Sequence, residues 1–136
     1  MNKAPNLQGN ETILLAEDEI HTRAFLFDTL TDHGYTVIVA EDGQDAVDTY
    51  KENMDRVDLV LMDVMMPRKD GVTAYKEISE LNASSKILLM SGYSSVSLGG
   101  IDDLNFIQKP MLPTALFTHI RELLDFKAER ISAPPA

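Results

Sequence analysis

The sequence predicts an α/β protein with a doubly wound parallel sheet, made of five βα units with the strand order 2-1-3-4-5. Short apolar runs alternate with segments of helical periodicity along the 136 residues. This alternation favours a parallel sheet with right-handed crossovers and helices on both faces. Several of the runs are continuously apolar, as is typical of strands that are covered on both sides.

The first βα unit begins with residues 12–16, Thr-Ile-Leu-Leu-Ala, which form a short buried strand. Asp18 or Glu19 is placed to cap a helix that runs to about His33. The apolar residues of this helix recur at helical spacing, and those predicted to face the sheet are Ile20, Ala24, Phe27 and Leu30. Phe25 and Leu26 broaden this apolar stripe.

The second unit begins with residues 35–40, which form a second strand rich in β-branched residues. Asp42 and Gly43 then mark a turn into a second helix. The inner face of this helix is predicted to consist of Ala46, Val47, Tyr50 and Met54.

The third strand, residues 59–62, is a continuous apolar run that ends at Asp63. Pro67 disfavours a helix directly after this strand, and Asp70 with Gly71 marks the turn into a third helix. The Asp63 carboxylate is therefore expected beside a loop at the carboxyl edge of the sheet. Open parallel sheets bind ligands at this edge.

Two more strands and a last helix complete the pattern. Residues 86–90 form a fourth strand that ends in Ser91, and residues 104–108 form a fifth that ends at Lys109. The last helix is predicted over residues 113–127. The third helix should face the sheet with Val72, Tyr75, Ile78 and Leu81, and the last with Leu116, Ile120, Leu123 and Leu124.

Length and composition indicate one cytoplasmic domain. We expect a flexible leader at residues 1–10, a folded domain at residues 11–127 and a flexible tail at residues 128–136. The apolar runs are too short to span a membrane, and the leader lacks the apolar core of a signal peptide. The absence of cysteine excludes disulfides, and the net charge of -10 opposes direct binding of nucleic acid.

Four strand ends carry a polar side chain of definite type: Glu17 and Asp18, then Asp63, Ser91 and Lys109. Each has an ordinary structural explanation by itself, as a helix cap, a turn residue or a solvated charge. In the predicted strand order, however, the carboxyl ends of the strands meet at one edge. We therefore interpret the five residues as one cluster.

Electrostatics indicate that this cluster binds a cation. Two carboxylates about 4 Å apart repel by roughly 4 kcal/mol at an effective dielectric near 20. Mg²⁺ prefers carboxylate ligands and directs its remaining positions to phosphate oxygens. Asp63 would then be the nucleophile, Lys109 would neutralise charge on a transferring phosphoryl group, and the Ser91 hydroxyl would bond one of its oxygens.

These motifs resemble the receiver domain of two-component response regulators, which has a flavodoxin-like fold. The matching positions are Glu17 and Asp18, residues 63–71, Ser91 with Gly92, and Lys109 with Pro110. The resemblance implies that Asp63 accepts a phosphoryl group from a phosphohistidine on a sensor histidine kinase or histidine phosphotransfer protein. It implies a signalling domain that catalyses its own phosphotransfer and autodephosphorylation and is not otherwise an enzyme.

The resemblance also implies specific roles for several residues. Mg²⁺ would be held by Asp18, Asp63, the backbone carbonyl of Met65 and, through water, Glu17. Ser91 and Phe106 would form a conformational switch, and the Lys109–Pro110 peptide bond would be cis. The sequences Met-Met after Val64 and Met-Ser-Gly-Tyr at residues 90–93 are more similar to receivers of hybrid histidine kinases than to those fused to DNA-binding domains.

Residues 94–105 depart from the family pattern, because they are short and contain Gly99 and Gly100 where a fourth helix is expected. Each glycine costs a helix roughly 1 kcal/mol. We therefore predict a fourth helix of at most two turns, and we predict that residues 94–103 are the least ordered part of the fold. Phosphorylation could order them.

Three other functions agree less well with the sequence. An aspartyl-phosphate hydrolase of the haloacid dehalogenase type would need a second acid at the position of Met65. A dinucleotide-binding module would need a glycine-rich turn where Glu17 and Asp18 stand. A receiver-like scaffold that no longer accepts phosphate conflicts with the presence of every reactive residue.

Donor docking is expected on the first helix, near Ile20, Phe25 and Leu26, and on the loop after the fifth strand.

Overall fold

The computed structural model describes residues 7–93 and 101–125. The strands and α-helices of the described chain are β1 Thr12–Ala16, α1 Ile20–Asp32, β2 Thr36–Ala40, α2 Gly43–Glu52, β3 Leu59–Asp63, α3 Gly71–Leu81, β4 Ile87–Ser91, β5 Phe106–Gln108 and α4 Pro113–Asp125. They alternate except between β4 and β5, where the described residues contain only a short 3-10 helix. None of the described helices is both long enough and apolar enough to cross a membrane.

All strand pairs are parallel, and the sheet order is β2-β1-β3-β4-β5. The predicted fold class and strand order are therefore confirmed. The register pairs Ala16 with Met62, Asp63 with Met90, and Ser91 with Gln108. Because these pairs lie at the ends of their strands, the residues that follow them share one edge of the sheet.

The sheet separates two apolar cores. Alternate residues of β3 illustrate this, since Leu59 and Leu61 pack with α1 and α4 on one face, whereas Val60 and Met62 pack with α2 and α3 on the other. All four side chains are fully buried. A strand with apolar residues on both faces must lie at the centre of a covered sheet, as the sequence predicted for β3.

Carboxylate side chains cap the first three helices. Glu19 accepts hydrogen bonds from the backbone N–H groups of His21 and Thr22, so it caps α1 and Asp18 does not. Asp42 and Asp70 cap α2 and α3 in the same way. Each cap satisfies N–H groups that lack a partner within the helix, which fixes the start of each helix close to the strand before it.

The predicted sheet-facing stripe of α1 is confirmed for Leu26 and Leu30 and is wrong for its other members. Leu26 and Leu30 are buried, whereas Ile20 is 61% and Phe25 60% exposed. Phe27 is also exposed. Apolar residues occur on several sides of this helix, so periodicity alone could not select the side that contacts the sheet.

The other helices differ from the prediction in single residues. In α3, Ala74 and Ile78 are buried and Leu81 is exposed. In α4, the expected stripe is present, but Phe117 is also buried. Its ring stacks on His33 with a centroid distance of 3.7 Å, a contact between sequence-distant residues that helical periodicity could not indicate.

The strand β5 is shorter than predicted, because residues 103–105 form a 3-10 helix where the first residues of the strand were expected. The Asn105 side-chain amide donates to the backbone oxygen of Ile87 at 2.9 Å, which stabilises this turn against β4. The predicted short fourth helix and its low order fall mainly on residues 94–100, outside the described residues.

Residues 7–10, which were expected to be flexible, pack against the domain. Leu7 contacts the core on the α1 and α4 face. The Gly9 N–H donates to the His33 carbonyl at 3.0 Å. The ordered chain therefore begins before Glu11, while residues 1–6 and 126–136 lie outside the described part.

Candidate functional site

Three carboxylates meet at the carboxyl edge of β1 and β3. One oxygen from each of Glu17, Asp18 and Asp63 lies within 4.8 Å of the other two. Glu17 is only 1% exposed and Asp63 7%, whereas Asp18 faces solvent. The parallel register explains this proximity, because residue 17 follows Ala16 and residue 63 follows its partner Met62.

Lys109 approaches this acidic cluster from the end of β5. Its Nζ lies 3.2 Å from Asp63 Oδ1 and 3.7 Å from Glu17 Oε1. The backbone N–H of Lys109 donates to the Ser91 carbonyl at 2.7 Å, which fixes the start of the loop between β5 and α4 against the end of β4. The Lys109–Pro110 peptide bond is cis, as the resemblance implied.

Glu17 is an unusual buried acid. Burial raises the pKa of Glu17 above its ordinary value, and although its hydrogen bond with Glu19 N–H lowers that pKa, the charge of Asp63 raises it further. Its Oε1 is buried and lacks a hydrogen-bond partner among the described residues. The 3.7 Å contact with Lys109 Nζ is an ion pair without a hydrogen bond, and a buried oxygen that accepts no hydrogen bond is costly, so an additional cation here would be stabilising.

The cluster fits a hard divalent cation. The candidate ligands are carboxylate oxygens, which Mg²⁺ prefers, and the set includes both buried and solvent-facing groups. One lysine faces three acids, so the described side chains do not neutralise the cluster by themselves. The chemistry of this set therefore agrees with the magnesium site that the sequence suggested.

Ser91 lies at the end of β4 and is 1% exposed. Its Oγ accepts a hydrogen bond from the Tyr93 N–H at 3.0 Å. Accepting this bond leaves the hydroxyl hydrogen available to donate to an oxygen in the crevice. Ser91 is thus placed on the strand beside Asp63, where the sequence predicted it.

The loop after Asp63 folds back on the end of β3. The Gly71 N–H donates to the Val64 carbonyl at 2.8 Å, and a Cβ added to Gly71 would overlap the Asp63 carbonyl oxygen. Arg68, whose φ is 66°, pairs with Asp42 at 3.0 Å. The sequence indicates Gly71 only as a turn residue, and it does not point to Arg68, because the partner of Arg68 is distant in sequence.

Two further predicted residues have clear positions. The Met65 side chain is exposed in the loop after Asp63. Phe106, three residues before Lys109, is buried with Leu89 on the α2 and α3 face, and Ile101 packs against the same core. Phe106 is therefore close in sequence to Lys109, which lies in the crevice, but its ring belongs to the core.

An apolar groove adjoins the crevice. It has a volume of about 610 Å³ and lies between α1 and the loop that joins β5 to α4. Lys109 belongs to both the groove and the crevice. The lining includes Phe25, Leu26, Pro110 and Met111.

Comparison with known proteins identifies the family. Residues 13–121 match the family described as response regulator receiver domain. The chain belongs to this family. It is 36% identical over 120 residues to chemotaxis protein CheY of Bacillus subtilis, covering 83% of this chain and 97% of CheY. It is 33% identical over 129 residues to sensor kinase CckA of Brucella abortus, covering 92% of this chain and 14% of the kinase.

The fold of this receiver domain is also that of solved receivers. It superposes on one chain of the crystal structure of the complex of CheX and CheY with BeF3 and magnesium from Borrelia burgdorferi, with a TM-score of 0.75 and 26% identity. The match covers 86% of this chain and 90% of that one. The predicted resemblance is therefore confirmed. The protein is a phosphoacceptor signalling domain of two-component systems and not an enzyme of the conventional kind.

Proposed function

We propose that Asp63 is the residue of this receiver domain that accepts the phosphoryl group. Its carboxylate is buried at the end of β3, 3.2 Å from the Lys109 ammonium and beside two further acids. In the reaction, an Asp63 oxygen attacks phosphorus. The P–O bond forms as the P–N bond to the donor histidine breaks, and the imidazole nitrogen keeps the bonding electrons.

Lys109 and Ser91 would act on the transferring group. Phosphoryl transfer is accelerated mainly by fixed charges and hydrogen-bond donors aimed at the phosphoryl oxygens. Lys109 provides the charge, since its Nζ is already directed at the Asp63 carboxylate. Ser91 provides a donor, because its oxygen accepts from the Tyr93 N–H and, among the described residues, no acceptor competes with a phosphoryl oxygen for its hydroxyl hydrogen.

Asp18, Asp63 and the backbone carbonyl of Met65 would hold Mg²⁺, with Glu17 binding through water. The support is the clustering of the three carboxylates and the buried Oε1 of Glu17, which has a 3.7 Å ion-pair contact with Lys109 but no hydrogen-bond partner among the described residues. When bound, Mg²⁺ would offset the negative charge shared by the carboxylates and the phosphoryl oxygens. The similar Borrelia burgdorferi chain was crystallised with BeF3 and magnesium, which agrees with this assignment.

The signal would be read through Ser91 and Phe106. Ser91 joins the phosphorylated crevice to β4, and Phe106 lies opposite Leu89 of β4 in the sheet register. A shift of Ser91 toward the phosphoryl group would therefore act on the strand that contacts Phe106. The same crevice would later admit water to hydrolyse the aspartyl phosphate, which ends the signal without a separate enzyme.

The donor would be a sensor histidine kinase or a histidine phosphotransfer protein that docks over the groove between α1 and the β5–α4 loop. Exposed Phe25 and Ile20 on α1 provide apolar contact, and the groove extends to Lys109. An apolar helix side chain could fill the groove while the donor histidine reaches Asp63. Similarity to a sensor kinase supports a hybrid-kinase context. A cytoplasmic location remains a prediction.

Labelling with acetyl phosphate and Mg²⁺, followed by intact-mass and peptide analysis, tests this function. The parent should gain one phosphoryl group on Asp63, and Asp63→Asn should gain none. Asp55→Asn is the matched control, because Asp55 is an exposed acid shortly before β3. Undiminished labelling of Asp63→Asn would contradict the assignment. Beryllofluoride with Mg²⁺ should shift the amide NMR signals of residues around Asp63 and Ser91.

A further inference from the structure

Arg23 reaches from α1 back to the acidic loop. Its Nη1 donates to the Glu17 carbonyl at 2.8 Å and lies 3.5 Å from the Asp18 carbonyl. Its backbone N–H also donates to the Glu19 carbonyl at 2.9 Å, as the first turn of the helix requires. Arg23 thus contacts the carbonyl groups of all three residues that connect β1 to α1, Glu17, Asp18 and Glu19.

This connection carries two of the three acids of the crevice. Residues 17–19 separate the end of β1 from the start of α1. The Glu17 N–H is held by the Ala40 carbonyl at 3.1 Å, and Glu17 Oε2 accepts from Glu19 N–H. The Arg23 guanidinium adds the contact on the carbonyl side. Rotation of the peptide between Glu17 and Asp18 would redirect the Asp18 side chain, and this contact opposes that rotation.

Arg23 makes these contacts without using the carboxylates. In the described part of the chain, Lys109 forms the ion pairs with Glu17 and Asp63, while the Arg23 guanidinium bonds to carbonyl oxygens only. A cation that paired with the acids would compete with a metal ion. A cation that binds their backbone leaves the carboxylate oxygens available.

We propose that Arg23 is a positioning residue that fixes the backbone of Glu17 and Asp18, so that their carboxylates are preorganised for a divalent cation. This inference rests on the magnesium site proposed above. Groups that orient metal ligands typically contribute 10- to 100-fold to metal affinity. The two possible effects of Arg23 have opposite signs. Loss of positioning weakens cation binding, whereas loss of a nearby positive charge alone strengthens it.

Magnesium titration by calorimetry, with Mg²⁺ as the probe, distinguishes the two effects. Arg23→Met should bind Mg²⁺ about tenfold more weakly than the parent. Arg23→Lys keeps a donor and the charge and should recover part of the affinity. Arg56→Met is the control, since it removes one arginine at an exposed position that bonds to Asn53. Its affinity should equal that of the parent.

Amide NMR and metal-free thermal unfolding separate positioning from a purely structural role. In Arg23→Met, the Asp18 and Glu19 amide signals should shift or broaden before metal is added. Equal or tighter Mg²⁺ binding in Arg23→Met would overturn the proposal, as would a lower unfolding temperature with unchanged affinity. If the parent itself bound no Mg²⁺, the proposed metal site would fail and the role of Arg23 with it. A failure limited to Arg23→Met leaves the metal site intact.

Discussion

The α-carbon of Gly71 packs directly against the carbonyl oxygen of Asp63, so a side chain at residue 71 has no space. This contact closes the loop that follows β3 and holds the backbone of the phosphoacceptor. We expect Gly71→Ala to lower the free energy of unfolding by about 2 kcal/mol, because the added Cβ must push the loop away.

Urea unfolding followed by circular dichroism would measure this loss. Gly92→Ala is the matched control, since a Cβ on Gly92 would meet no atom of the described residues within 4 Å. Its unfolding free energy should change by less than about 0.5 kcal/mol. Equal effects of the two substitutions would show that packing against Asp63 is unimportant.

Asp18 and Glu17 should contribute unequally to Mg²⁺ binding. Asp18 is shorter and faces solvent, so it can bind the ion directly, whereas the longer Glu17 can act through water. We expect Asp18→Ala to lose more affinity than Glu17→Ala when both are titrated calorimetrically. An affinity of Asp18→Ala equal to that of the parent would reject the ligand assignment.

The pKa of Glu17 predicts a pH dependence of stability in metal-free buffer. Burial raises the pKa of Glu17 above its ordinary value of 4.5, so the folded protein keeps this proton at pH values where the unfolded chain has lost it. Ionised Glu17 therefore lowers the free energy of unfolding at neutral pH. This destabilisation decreases as the pH falls through the folded-state pKa. Glu17→Gln should exceed the parent in unfolding free energy at pH 7, with a smaller difference near pH 4.5. The measurement is urea unfolding in EDTA, and a difference that does not vary with pH would contradict it.

Arg121 connects α4 to the start of β1. Its guanidinium bonds both oxygens of Glu11, at 2.8 and 3.0 Å, and also bonds Tyr35 Oη. We expect Arg121→Met to lower the unfolding free energy by about 2 kcal/mol at neutral pH, because charged hydrogen bonds are lost from a largely buried group. The Arg121 hydrogen bond lowers the pKa of Glu11, so this contribution should be lost as the pH falls below 4.5 through the folded-state pKa. Arg56→Met, at an exposed site, should change stability little at either pH.

Donor docking can be separated from phosphoacceptor chemistry. Phe25→Ala and Ile20→Ala should slow phosphotransfer from the cognate histidine donor by about tenfold each, because a central apolar contact contributes 1 to 2 kcal/mol to binding. Labelling by acetyl phosphate should not change, since that small donor needs no docking surface. Phe27→Ala is the control, because Phe27 is exposed on α1 but neither lines the groove, as Phe25 does, nor lies at the start of the helix beside the crevice, as Ile20 does. Unchanged transfer in the first two variants would place the docking surface elsewhere.

The amino-acid sequence by itself determined the fold class and the location of the crevice. Apolar runs such as residues 59–62 have the length and composition of buried strands, and strict alternation with helices allows few topologies. In a parallel sheet the residues that follow the strands must share one edge. The meeting of Asp63 with Glu17 and Lys109 was therefore predictable without any knowledge of side-chain contacts.

The tertiary structure alone decided which surfaces and contacts support that crevice. Apolar residues occur on several sides of α1. Only the packing of this helix on the sheet determines that Leu26 and Leu30 are buried and that Phe25 is exposed. The Arg23 contact with Glu17 depends on the angle between β1 and α1, and the close approach of Gly71 depends on the path of a loop. Residue periodicity describes one element at a time, whereas these contacts are set by how elements are placed against each other.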